Sequence, residues 1–334
     1  MKFNLPTQPT WSIYDSSKLD QYLQCLRMFF FEQVLGWRSD LPNHDLYFGE
    51  CWHLAREHQL LFGYDDIFPA YARFEQHYRK EYNQETDSLY TPKNPAGVLS
   101  ALHNFARTYK FDLVENKVYE QDGVKFTEIS GKVPVSTKYS MYYRMDSIIE
   151  QISDGLIKSW DHKTTKESNI VYDSWTNKFQ LSIQNGTYSH CLYCMFPVER
   201  VLGVEFDGVG FGFLSRGSAK RPAGYYSTLR RIQAYKSVEQ MNTWLWTVND
   251  LIADIERDMD RLFHCDDGDS TLAAFRCNPK SCFAYNRQCA YYDYCCSWPN
   301  PLRQCSQPPI GFHVNWWDPS TKPASVHKDL IGRF

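Results

Sequence analysis

Residues 143–165 read YRMDSIIEQISDGLIKSWDHKTT, the pattern of two strands joined by a tight turn. Asp154-Gly155 marks the turn, because both residue types tolerate the positive φ angles of a two-residue hairpin loop. The flanks, Met145 to Ile152 and Leu156 to Trp160, carry the branched and aromatic side chains of strands. With Asp154 and Gly155 as the whole loop, Ser153 pairs with Leu156, Asp146 falls opposite Lys163, and Asp161 falls opposite Ile148. Side chains alternate along a strand, so Asp146, Asp161 and Lys163 share one face. Two carboxylates crowded on a sheet repel each other, and a divalent cation held through their oxygens relieves the crowding. Such an ion polarises a phosphoryl group and acidifies a bound water, which a nearby lysine can orient. The plainer reading is an exposed ribbon with an ordinary cross-strand Asp–Lys pair.

The chain around this hairpin has 334 residues, 43% hydrophobic and 16% aromatic, enough for a large core and unlike a disordered chain. A net charge of −3 gives no global signal for nucleic acid, although a local basic groove suffices to bind it. The N-terminal MKFNLPTQPT lacks a signal-peptide apolar run, and no segment reaches the length of a membrane span. The expectation is a cytoplasmic protein without membrane contact, its eleven cysteines kept from disulfides by a reducing compartment.

Ser17 to Asp20 resembles a helix start of the capping-box kind, followed by Tyr22, Leu26, Phe29, Phe30 and Val34 at helical spacing, with Gly36 as a stop. Cys25 lies on the apolar side of that helix, where a lone cysteine is ordinarily core. A second helix starts near Asp45 and sets Gly49 and His53 on one face. Residues 65–110 are expected to be helical with a break at Pro92–Pro95, and strands follow from Phe111. After the hairpin, Ser174 to Met195 is expected as one helix with Gln180, Gln184 and Tyr188 in a polar stripe, which by itself fits a solvated face equally well. Two more strands enclose a loop carrying Arg216, Lys220 and Arg221, a composition suited to a phosphate backbone. Ser237 opens a long amphipathic helix with Val238, Met241, Leu245, Val248, Ile252, Ile255, Met259 and Leu262 inward. Five cysteines then fall between Cys277 and Cys296, a density that core packing hardly explains, since thiolates so close repel unless protonated or bound to metal.

Asp146 and, after fourteen intervening residues, Asp161-His162-Lys163-Thr164-Thr165 resemble the PD-(D/E)xK nuclease signature, in particular its RecB-type branch. The Gly49-x-x-x-His53 pattern and the CAYYDYC ending at Cys295 are similar to that branch too, the latter to members with a C-terminal iron–sulfur cysteine cluster. The resemblance implies an α/β fold: a restriction-endonuclease-like mixed sheet core flanked by helices, with a helical N-terminal region and a cysteine-clamped C-terminus. The regions expected are 1–110 (helical), 111–236 (nuclease core), 237–305 (long helix and cysteine cluster) and 306–334 (tail, docking through Trp316 and Trp317). It implies Mn²⁺ or Mg²⁺ on His53, Asp146, Asp161 and the main-chain carbonyl of His162, with Lys163 positioning water and Gln180 steadying the substrate or the lysine. Tyr188, with Arg216, Lys220 and Arg221, is then expected along DNA. A 4Fe–4S cluster is implied on Cys25, Cys282, Cys289 and Cys295, although four cysteines suit zinc equally well on geometry alone. The activity implied is a DNA exonuclease acting on single strands or ends, partnered by a helicase or a CRISPR adaptation machine. The opposing reading is a non-catalytic nucleic-acid-binding or scaffold subunit stapled by iron–sulfur or zinc.

Overall fold

The computed structural model describes residues 7–217, 221–284 and 287–332. A mixed seven-stranded sheet organises them. Its strands are β1 (Asn116–Val118), β2 (Thr127–Pro134), β3 (Ser140–Gln151), β4 (Ile157–Lys166), β5 (Val201–Leu214), β6 (Gly224–Ala234) and β7 (Val326–His327). The spatial order is β7-β2-β3-β4-β5-β6, with the short β1 also paired to β3. Strands β2, β3 and β4 form an antiparallel meander, β5 lies parallel to β4, and β6 is antiparallel to β5.

Helices flank the sheet: α1 (Ser16–Gln24), α2 (His44–Phe62), α3 (Ile67–Tyr78), α4 (Pro95–Thr108), α5 (Ile183–Met195) and α6 (Val238–Phe263). Strand alternation gives the sheet two apolar faces. Ile148, Ile157 and Phe206 enter one core with α1, α5 and α6, whereas Ile149, Trp160, Val209 and Phe211 enter another with α2, α3 and α4. The helical region expected over residues 1–110 is therefore divided, its first helix belonging to the α5–α6 side and the remainder to the other.

The hairpin register differs from expectation by two residues. Ser147 pairs with Trp160 and Glu150 with Ile157, and the connection spans residues 152–156, with Gly155 at φ +71°. The Asp-Gly pair thus lies inside a longer loop and is not the whole turn. A two-residue slip keeps every side chain on its original face, so the facing of the acidic residues survives while the partners change. Continued by one residue, this register sets Asp146 against Asp161.

Other departures are local. Asp15, not Ser17, caps α1 by accepting from the Lys18 N–H at 2.8 Å. That helix stops at Gln24 because Cys25 is extended, and Leu26–Phe29 resumes after it. The segment read as one helix from Ser174 is a short turn at Asp173–Asn177 and then α5, which the Ser182 hydroxyl caps. Val238 is exposed, while Trp244 and Leu251 are buried on α6. The tail docks as expected: Trp316 Nε1 donates to Val34 O at 3.1 Å and Trp317 Nε1 to Asp15 Oδ2 at 2.8 Å.

Candidate metal centre

Beyond Ser147 and Trp160 the β3–β4 ladder ends, and the freed His162 N–H donates to Asp146 Oδ2 at 2.7 Å. The site forms in this splay. His53, reaching over from α2, places Nδ1 3.2 Å from Asp146 Oδ1 and Nε2 2.8 Å from the His162 carbonyl. Glu128 joins from β2: ligand atoms of His53, Glu128 and Asp146 lie within 4.8 Å of one another. Asp161 stands beside this triad, with Lys163 Nζ 2.6 Å from its Oδ2 and Gln184 Nε2 donating to its Oδ1 at 3.3 Å.

The groups are recessed, not displayed on an open face as the hairpin reading supposes. Asp161 is 1% and Asp146 8% exposed. Burial pushes the Asp161 carboxyl up to about 6, against the pull of Lys163 and with a smaller push from Asp146. Glu128 is raised likewise, by burial first and then by Asp146, despite its Arg144 partner at 2.7 Å. Burial alone would raise Asp146 too, but the His53 imidazole holds it below the usual carboxylate range. In return Asp146 overcomes burial at His53 and lifts it to about 9. Despite its closeness to Lys163, the buried Asp161 Oδ2 has no aligned hydrogen-bond donor. Three crowded carboxyl groups and one imidazole form a donor set that fits a hard divalent cation.

Behind the site, the His162 ring is buried and held neutral by burial and by Arg56. Its neighbour Asp207 is pinned by Arg231, whose Nε lies 2.5 Å from Asp207 Oδ1 and whose Nη2 lies 2.7 Å from Asp112 Oδ2. This buried pair ties β5 to β6 and fixes the backbone that carries His162 and Lys163.

His53, Asp146, Asp161, Lys163 and the His162 carbonyl thus meet as expected. Gln180 does not: it precedes α5 and donates to Gln233 O at 2.9 Å, because the helix begins only at Ile183. Gln184, one turn further on, reaches Asp161 instead. Tyr188 is buried, its hydroxyl donating to Arg144 O and accepting from Gln184, which makes it a prop for β3 and not a surface contact. Arg216 is exposed, and Arg221 stacks 3.8 Å above the Tyr226 ring. Lys220 lies outside the described residues. Glu128 escapes a reading of the sequence because no spacing marks it; a glutamate inside the strand-like VKFTEIS is the one available signal.

The cysteine-rich segment packs against the start of the chain. Gln24 O accepts from Asn278 Nδ2 at 2.8 Å and from Ser281 Oγ at 2.6 Å, so the extended Cys25 faces residues 277–295. Cys289 N–H donates to Cys282 O at 2.8 Å, and Cys25 is felt electrostatically by Cys282, Cys289 and Cys295. Cys277 accepts a hydrogen bond from Cys295, which brings its thiol down to about 6. All eleven cysteines are free thiols. Among the described residues no helix is long and apolar enough to cross a membrane.

No protein-family model matches this chain, and no curated protein matches it.

Proposed function

We propose that this chain is a metal-dependent deoxyribonuclease built on a restriction-endonuclease-like core of the PD-(D/E)xK type. The observation that carries the reading is the meeting of His53, Glu128, Asp146, Asp161 and Lys163 in the splay between β3 and β4. The order of helix, antiparallel meander, helix and parallel strand around that splay supports it.

His53, Glu128, Asp146 and Asp161 would hold Mn²⁺ or Mg²⁺, with the imidazole favouring Mn²⁺. A bound ion supplies charge neutralisation at a phosphoryl group and a more acidic water. Lys163 offers three donors to orient water or a phosphate oxygen. Gln184 fixes the second oxygen of Asp161, and Tyr188 fixes the strand that carries Asp146. A recessed site favours a single strand or an end over the middle of a duplex. Cys25, Cys282, Cys289 and Cys295 would hold a 4Fe–4S cluster, with Cys277 beside them; zinc is the alternative that metal analysis separates.

End-labelled single- and double-stranded DNA, incubated with Mg²⁺ and Mn²⁺ in parallel, tests the reading. Cleavage by the wild type should fall at least about 10²-fold in Asp161→Asn and Lys163→Ala. Digestion that persists unchanged in both variants sinks it, and an inert wild type that binds DNA returns the chain to the scaffold reading.

A further inference from the structure

Nine residues before His53 on the same helix, the first turn of α2 borders a second cleft, of about 410 Å³. Three cations from separate regions of the chain line it: Lys93 from the loop before α4, Lys166 from the end of β4, and Arg287 from the cysteine-rich segment. Lys93 is 4% exposed, with Nζ 2.9 Å from Asp45 Oδ1, and Arg287 Nη2 lies 2.9 Å from the other oxygen of the same carboxylate. Burying an ammonium is costly unless it is paired, and here one carboxylate serves two cations while Lys166 has no ion-pair partner among the described residues. Three positive charges against one negative leave the cleft short of anionic charge. The N-terminal turn of a 19-residue helix, whose first N–H groups carry partial positive charge, lines the same space.

The cleft and the metal centre are joined by α2: Asp45 precedes His53 by eight residues, about 12 Å at the rise of a helix, or roughly three to four stacked nucleotides at 3.4 Å each. Lys166, three residues beyond Lys163 on β4, lies on the opposite face of that strand, the face that α2 covers. We propose that the cleft is a phosphate-binding subsite for the same nucleic-acid strand, with Lys166 and Arg287 on a backbone phosphate and Asp45 holding Lys93 and Arg287 in place. The identity of the strand rests on the nuclease reading; the cation set does not.

The test is fluorescence anisotropy of a labelled single-stranded 15-mer with the full-length protein in EDTA, titrated with KCl. Losing two contacts in the Lys166→Gln/Arg287→Gln double variant should weaken binding roughly tenfold near 0.1 M salt and flatten the salt slope by about 1.4. Unchanged affinity and slope overturn the proposal. Should that variant misfold, the single Lys166→Gln decides, since it should weaken binding and flatten the salt slope by about 0.7, and an unchanged slope overturns the subsite. Salt-dependent binding without cleavage in Mn²⁺ removes the nuclease reading and leaves the cleft standing. Cleavage together with unaltered binding by the double variant does the reverse, and a wild type that binds no DNA removes both.

Discussion

Glu128 occupies an unusual backbone position, φ +45°, within a buried strand. Non-glycine residues in that region carry a local energetic cost and are held there by their surroundings. Here the surroundings are Arg144 on one carboxylate oxygen and the Ser325 N–H on the main-chain carbonyl at 3.0 Å. If the carboxylate is a ligand, Glu128→Gln should lower Mn²⁺ affinity at least about tenfold by calorimetry, with the fold preserved. An affinity equal to wild type would leave Glu128 as a partner for Arg144 and nothing more. Asp161 and Lys163 are legible in the sequence because they share one short strand, where a period of two fixes their common face. Glu128 is not, because its place depends on a non-repeating backbone angle that no pattern of residue types encodes.

Helix α2 carries both His53 and, at its first turn, His44. The His44 ring stacks on Tyr90 at 4.0 Å and shares a 3.0 Å hydrogen bond with the Tyr78 hydroxyl. Burial, then Lys93, bring its pKa down to about 4. On acidification the unfolded chain takes up the proton first. The stability associated with the neutral ring is therefore complete above about pH 6.5 and is lost as pH falls from 6.5 towards 4. Because the ring is only half-buried, the loss by pH 5 is on the order of 1 kcal/mol. Urea unfolding at pH 7 and pH 5 should show that extra fall in the wild type and not in His44→Phe; equal falls in both would count against it. At this level only some of the structure is readable from residue types. The cap at Ser237 follows from side-chain chemistry, whereas those at Asn43 and Asn94 emerge only with the fold. The break at Cys25 and the late start of α5 do not follow from residue types, because tertiary contacts to residues 275–281 and to Gln233 override a continuous helical period. That is why an unbroken period points to Gln180 for the place that Gln184 holds.

Across the whole molecule, an aromatic seam joins the beginning of the chain to the cysteine-rich segment. Phe31 stacks on Trp37 at 5.5 Å and on Tyr291 at 5.1 Å, and the Tyr291 hydroxyl donates to Trp37 O at 2.6 Å. Phe31→Ala should cost about 3–5 kcal/mol in chemical unfolding. A loss under about 1 kcal/mol would mean that the seam is not a source of stability. Cys282→Ser, in contrast, should both lower the melting temperature and remove iron, sulfide and visible colour from anaerobically prepared protein. Stoichiometric zinc in the wild type, with no iron, would replace the cluster by a zinc staple.

The tail meets the sheet at Gly131, where a Cβ would sit 2.0 Å from Lys328 O. Gly131→Ala should dislodge residues 325–330, seen as faster proteolysis of the tail, and weaken Mn²⁺ binding with it; a tail still protected in the variant would refute the coupling. Ser325, Lys328 and Leu330 all donate backbone hydrogen bonds to β2, and the first of them steadies Glu128. During synthesis, then, a ribosome completes the hairpin with Asp146 and Asp161 long before it releases the stretch that seats their third acidic neighbour. A chain made only as far as the hairpin holds these carboxylates without the segment that steadies Glu128.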